Sequence, residues 1–376
     1  MGERMSDCVL FENLPAGADG SYVAVATLNA PDTLNSLTLE MIDVLTPRLE
    51  EWRADDNLKC IAIRGSGDRA FCAGGDIQAL QGAINENHAA GEIVNNYPET
   101  FFEREYRLDY RLHCFDKPIV VLGGGVVMGG GLGIFAGGSV RVVTPKSRIA
   151  LPEITIGLFP DAGASWLLGQ LPSGYAAFLG LTGSHMNGAD ALACGLGTHA
   201  IDIDRLHAIP EMLAQQDWSD DPAANKALAS EAVRSFAGSV ELPQAQLLSL
   251  SKDISLGKGL EPMDAMRAQA GNSDWIDKGL ATMAAGCPTS LAVVCEQLRR
   301  VRSCSLEECF QLEMIIAAQC ARHKDFAEGV RALLVDKDNN PQWTYPTLSD
   351  VPEHHIEAHF TAPWENNPLR DIQAAG

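Results

Sequence analysis

A chain of 376 residues, 46% hydrophobic and 20% charged, carries enough apolar side chains for a packed core and is long enough for one large domain or two ordinary ones. Its 28 Lys+Arg stand against 49 Asp+Glu, a net charge of −21. That balance excludes a nucleic-acid binder, which needs clustered cations for phosphate, and it excludes docking on an anionic membrane.

Ten cysteines are scattered with no C-x-x-C pair, which suits a reducing compartment rather than a secreted disulfide scaffold. Met1–Leu10 holds two acids, with neither an apolar run nor an Arg-rich pattern, so no leader is expected there. No stretch reaches the ~18 apolar residues of a membrane span. The expected location is cytoplasmic.

In chain order, Tyr22–Leu28 (YVAVATL) reads as a strand. Leu39, Ile42, Leu45, Leu49 and Trp52 then recur at helical spacing, with Pro47 expected to kink that helix or end its first part. Cys60–Arg64 is a short buried strand, and Gly65–Asp68 turns out of it. Residues 82–98, rich in Asn, are expected to form a loop or insert. Phe102, Tyr106, Asp109 and Leu112 mark the next helix, and Ile119–Leu122 the next buried strand. Glycines crowd residues 123–138, and strands are expected at 140–144 and 148–151. A polar stretch near 215–222 reads as a linker, which places a core at 1–214 and a mostly helical region at 215–376. In that region Ser305 and Glu308 form a capping box ahead of Leu306, Cys309, Phe310, Glu313, Ile316 and Cys320. Strands alternating with helices, followed by helices alone, give an α/β class with an α-helical C-terminal part.

Three segments carry chemistry. Phe71-Cys72-Ala73-Gly74-Gly75-Asp76 and Met128-Gly129-Gly130-Gly131-Leu132-Gly133 are glycine turns that each follow a strand. Backbone N–H groups from two such turns can grip one oxygen as an oxyanion hole, and glycine leaves room for the approach. Tight turning and close packing are the plainer use of either turn alone. The third segment, Leu151 to Gly163, sets Glu153 and Asp161 eight residues apart among Leu, Ile and Phe. Apolar surroundings raise a carboxyl pKa, and two unequal carboxyls can serve as an acid and a base. The plainer alternative makes Asp161 a helix N-cap and Glu153 a solvated acid. Cys72 reads as packing. His354, His355 and His359 allow an i,i+4 pair, but no third ligand is evident, so a solvated helix face is expected and no metal. Gly131-x-Gly133-x-x-Ala136 with Glu153 downstream fits a dinucleotide fingerprint weakly.

The order Cys72-Ala-Gly-Gly-Asp76, Met128-Gly-Gly-Gly131 and Pro152-Glu-Ile-Thr-Ile-Gly-Leu-Phe-Pro-Asp161 resembles the enoyl-CoA hydratase/isomerase (crotonase) superfamily. Leu34-Asn35-Ser36-Leu37-Thr38, Gly157-Leu-Phe-Pro-Asp161 and Asp325–Asp338 followed by Pro341-Gln342-Trp343 resemble its 3-hydroxyisobutyryl-CoA hydrolase branch. The resemblance implies a spiral of β-β-α units with a helical C-terminal region that covers the site or mediates association. It implies oxyanion-hole amides at Gly75 and Gly130, catalytic Glu153 and Asp161, and a substrate-contacting Glu105. Hydratases of the superfamily carry a second catalytic Glu where this chain has Gly133, so thioester hydrolysis fits better than water addition. Ala30-Pro31 departs from the superfamily's common Arg-Pro.

The implied activity is hydrolysis of a short 3-hydroxyacyl-CoA, 3-hydroxyisobutyryl-CoA of valine degradation above all. The alternatives are another crotonase-type enzyme, hydratase or isomerase, or a non-catalytic acyl-CoA binding protein. Coenzyme A would enter as part of the substrate, with no separate cofactor. The expected partner is the acyl-CoA, with no nucleic acid and no membrane; the superfamily often forms homo-oligomers, and the resemblance leaves open whether this chain does.

Overall fold

The computed structural model describes residues 7–257 and 259–372. The leader reading at Met1–Leu10 falls mostly on residues 1–6, outside the described residues. The chain packs as two compact units, each assembled from separate stretches. The first holds the chain up to Gly75, Leu108–Ile149 and Met186–Ala245; the second holds Asp76–Arg107, Ala150–His185 and the chain from Gln246 onward.

The first unit is built on strands β1 (Val9–Pro15), β2 (Tyr22–Leu28), β3 (Leu58–Gly65), β4 (Ala70–Cys72), β5 (Ile119–Gly123), β6 (Val126–Met128), β7 (Val140–Val143), β8 (Arg148–Ala150) and β9 (His199–Ala200). Six form one sheet in the order β1-β2-β3-β5-β7-β9, and β4-β6-β8 form a second. In the large sheet only the β1–β2 pairing is antiparallel. Strands β2, β3 and β5 are buried almost throughout, as their unbroken apolar runs require of parallel strands covered on both faces. On one face Val23, Cys60, Val120, Val140 and Val142 pack with Ile209, Leu213, Ala229 and Val233. The last four come from helices Ile209–Ala214 and Pro222–Ala237. The polar stretch after 214 ends at Asp221, whose carboxylate accepts from Ala223 N and opens the second of those helices.

Helix Leu39–Ala54 starts at Thr38, whose hydroxyl accepts from Met41 N. It runs through Pro47 as one element, so the expected end of its first part does not occur. Ile42 and Leu45 before the proline and Leu49 and Trp52 after it are all buried. Burying that whole stripe outweighs the one backbone hydrogen bond Pro47 cannot make.

The second unit is helical. Of the loop expected at 82–98 only residues 91–96 are one: helix Ile77–Ala90 occupies the first half of that span and helix Tyr97–His113 begins at its end. Asp76 caps it by accepting from Ala79 N, and Leu80, Ala83, Ile84 and Asn87 form its buried stripe. The asparagines that suggested a loop terminate the helix instead. Gly91 takes the left-handed conformation, and the Asn87 side-chain oxygen accepts from Val94 N and Asn95 N. The capping box of Ser305 and Glu308 is present at the start of helix Leu306–Arg322. Phe102, Tyr106, Phe310 and Phe326 make a chain of ring contacts, with centroids 5.8 to 6.5 Å apart. No single helix among the described residues is long and apolar enough to cross a membrane.

The dinucleotide reading fails on context. Its glycines open a helix of only Gly130–Ala136, and the strand before them lies in the three-stranded sheet.

Candidate active site

The two glycine turns meet within the first unit. Strands β4 and β6 pair in parallel, Ala70 with Val126 and Cys72 with Val127, so both turns leave at the same end of the small sheet. Gly74 adopts φ +110, and a Cβ there would stand 3.4 Å from the Met128 carbonyl. A Cβ on Gly131 would stand 2.4 Å from the Cys72 carbonyl. Only glycine permits this approach of backbone to backbone. Asn35, fully buried with φ 56, fixes the first turn from behind. Its amide donates to the Ser66 and Ala70 carbonyls, and its oxygen accepts from Ala30 N. Leu37 N donates to the Gly74 carbonyl, and Leu37 pairs with Gly75. Gly75 therefore sits on a braced turn, and Gly130, buried, begins the helix after the second.

The three acids singled out in the sequence lie in the second unit and are all buried: Glu105 at 2%, Glu153 at 4% and Asp161 at 6% exposure. Glu153 opens a short 3-10 turn, Glu153–Ile156, which Gly157 closes in the left-handed conformation. Asp161 is not a helix N-cap. That position belongs to Gly163, ahead of helix Ala164–Gln170. Instead Asp161 accepts a hydrogen bond from the Tyr106 hydroxyl at 2.6 Å. The backbone beyond it runs through Ala162 at φ 55 and Gly163 at φ 84. Glu313 holds that bend, accepting from Gly163 N at 2.8 Å and Ser165 N at 2.7 Å. Gln297 adds donors to the Pro160 carbonyl and the Ser165 hydroxyl.

Burial sets the protonation of this group. Glu153 is pushed well above the usual carboxyl range, by burial first and then by the charge of Asp161. Glu105 is raised in the same way, with Asp161, Glu313 and Glu153 adding to the effect of burial. Glu313 rises to about 8 through burial, against the pull of its two backbone donors. Asp161 rises only to about 6, because the Tyr106 hydrogen bond opposes burial. Asp161 is therefore the acid of this group held nearest the ordinary carboxyl range, with Glu105, Glu153 and Glu313 raised further. That is the division of an acid from a base that two equivalent, solvated carboxylates could not provide. Glu105 Oε1 and Glu153 Oε2 are buried with no hydrogen-bond partner among the described residues, so each has capacity for a ligand.

Sequence reasoning missed Tyr106 and Glu313 as members of this group. Tyr106 looked like a core aromatic. Glu313 held the signal, since it stands where a core-facing apolar residue belongs in the stripe Cys309, Phe310, Ile316, Ala317, Cys320. A carboxyl at such a position needs partners.

The enoyl-CoA hydratase/isomerase family profile matches residues 23–360. The chain belongs to this family. It is 34% identical over 365 residues to the mitochondrial 3-hydroxyisobutyryl-CoA hydrolase of Danio rerio, covering 96% of this chain and 91% of that one. It is 35% identical over 341 residues to the mitochondrial enzyme of the same name from Homo sapiens, covering 89% and 85%. Among solved structures, a carnitinyl-CoA dehydratase from Mycobacterium thermoresistibile superposes with a TM-score of 0.79 at 29% identity, covering 98% of this chain and all of that one. An enoyl-CoA hydratase from Rhodobacter sphaeroides gives 0.75 at 28%, covering 95% and 98%. The crotonase fold expected from the sequence is thus present, with its helical C-terminal region. The cytoplasmic location is corrected. The relatives from Danio rerio, Xenopus laevis and Homo sapiens are named as mitochondrial enzymes, not cytoplasmic ones.

Proposed function

We propose that this crotonase is a thioester hydrolase of short 3-hydroxyacyl-CoA substrates, with 3-hydroxyisobutyryl-CoA, a valine-degradation intermediate, foremost. The observation that carries the reading is the buried acid group, in which the Tyr106 hydroxyl bonds Asp161 and burial raises Glu153 further than Asp161. Identity of 34–35% to named hydrolases over about nine-tenths of the chain supports it.

In this reading the Gly75 and Gly130 amides stabilise the charge that develops on the thioester oxygen. Glu153 attacks the carbonyl, its proton passing to the departing CoA sulfur, and a mixed anhydride is left. Asp161 deprotonates the water that opens the anhydride at the Glu153 carbonyl, releasing the acyl acid and leaving the water oxygen in Glu153. Glu105 Oε1 offers a polar contact to the 3-hydroxyl of the acyl group. Coenzyme A enters with the substrate, and no separate cofactor is assigned. If Glu153 acts instead as general base on water, no label enters it. A single turnover in oxygen-18 water followed by peptide mass analysis separates the two routes.

Likeness to a carnitinyl-CoA dehydratase and an enoyl-CoA hydratase favours a second reading, hydration or dehydration of the acyl chain. Gly133, where the hydratases' second Glu would stand, disfavours it. Thiol release from 3-hydroxyisobutyryl-CoA, run beside hydration of crotonyl-CoA, decides. A higher kcat/KM for crotonyl-CoA hydration would overturn the hydrolase reading.

A further inference from the structure

Away from the acid group, three imidazoles converge inside the second unit. His323 stands at the junction of helices Leu306–Arg322 and Lys324–Val330. His355 and His359 lie one turn apart on helix Glu353–His359. The sequence suggested a solvated face with no third ligand, and the structure corrects both points: His359 is 1% exposed, and His323 is the third base. One nitrogen from each ring lies within 4.8 Å of the other two. The ring centroids are 4.6 to 4.9 Å apart.

Three further observations suit ligation rather than ring packing alone. His359 Nδ1 lies 2.9 Å from the His355 carbonyl, which makes Nδ1 the N–H and leaves Nε2 as a lone pair. Metal-bound histidines are commonly fixed by such a bond from the second nitrogen. His355 Nε2 is buried with no hydrogen-bond partner among the described residues. Asp325, buried, lines the same small cavity as His323 and His359 and adds negative charge beside it.

We propose that His323, His355 and His359 form a three-nitrogen site for a divalent transition-metal ion of the zinc class. Zinc–nitrogen bonds of about 2.0–2.1 Å put two ligand nitrogens roughly 3.4 Å apart on a tetrahedral ion. Binding therefore has to close these nitrogens from within 4.8 Å of one another to that spacing. The bound ion ties helix Glu353–His359 to the junction at His323, two segments about thirty residues apart in the chain.

The test uses the full chain after chelator treatment, titrated with zinc chloride and, in parallel, with cobalt(II) chloride. The expected result is one ion per chain, visible cobalt bands of nitrogen ligation without a sulfur-to-cobalt band in the near ultraviolet, and a zinc-dependent rise in Tm. His355→Gln and His323→Gln, both at partly exposed positions, should each weaken binding at least about tenfold and abolish the Tm rise. His354→Gln, on the exposed side of the same helix, should change neither. A sulfur-to-cobalt band, undiminished binding in His355→Gln, or no stoichiometric binding by the parent would each overturn the site. Circular dichroism of every variant shows that a loss of binding is not a loss of fold.

Discussion

A single hydroxyl helps set Asp161 apart from its buried neighbours. Tyr106 donates to Asp161, and that bond, together with a backbone hydrogen bond, opposes burial and keeps Asp161 near 6 while Glu105, Glu153 and Glu313 are raised further. If ionised Asp161 is the base that activates water, kcat falls as pH drops through about 6. Tyr106→Phe removes the group that lowers the Asp161 pKa, so the acid limb should move to higher pH. A pH–rate profile of the parent and Tyr106→Phe checks both points, and an unmoved limb would assign that titration to another group. Glu153→Gln should lower thiol release by about a thousandfold, on the scale of losing a general base or nucleophile, while CoA-ester binding persists. The positions of Glu153 and Asp161 were legible because two acids in an apolar, Gly/Pro-punctuated segment are costly unless used. The difference between their pKa values was not, because Tyr106 reaches Asp161 from 55 residues away.

At the scale of elements, the acids depend on two tight features. One is the bend at Ala162–Gly163, held by Glu313 and Gln297. Glu313→Gln keeps one acceptor oxygen and turns the other into a donor that faces a backbone N–H. That mismatch should cost about 1–3 kcal/mol of stability, read by urea unfolding, with activity falling in the residual folded protein. The other is Gly157, at φ +73, where a Cβ would stand 2.3 Å from the Asp325 carbonyl. Gly157→Ala should lose at least about 2 kcal/mol, since backbone strain and a backbone clash combine. Among the elements themselves, the buried strands and the capped helix after Ser305 were legible from local pattern. Helix Ile77–Ala90 was not, because its asparagines look like loop formers until Asn87 is seen capping the residues that follow. Pro47 misled for the opposite reason: a local rule was overridden by burial on both sides of it.

At the scale of the whole molecule, neither compact unit is continuous in sequence, so no compositional change along the chain could mark them. The polar stretch after 214 looked like a boundary, yet the helix it leads into, Pro222–Ala237, packs on the first unit's sheet. Net charge, by contrast, is a global property and needs no structure. At −21 the chain repels a CoA ester, which carries several phosphate charges of its own. At low ionic strength, about 10 mM, the Debye length is roughly 30 Å and most of that charge is felt during approach; near 0.15 M it shrinks to about 8 Å. Screening should therefore raise kcat/KM for the thioester between those two conditions, while kcat, measured after binding, stays nearly constant. An uncharged N-acetylcysteamine thioester of the same acyl group should show no such rise, which ties the effect to the phosphates rather than to the acid group. A fall in kcat/KM with added salt would mean that basic side chains near the bound phosphates outweigh the field of the whole chain.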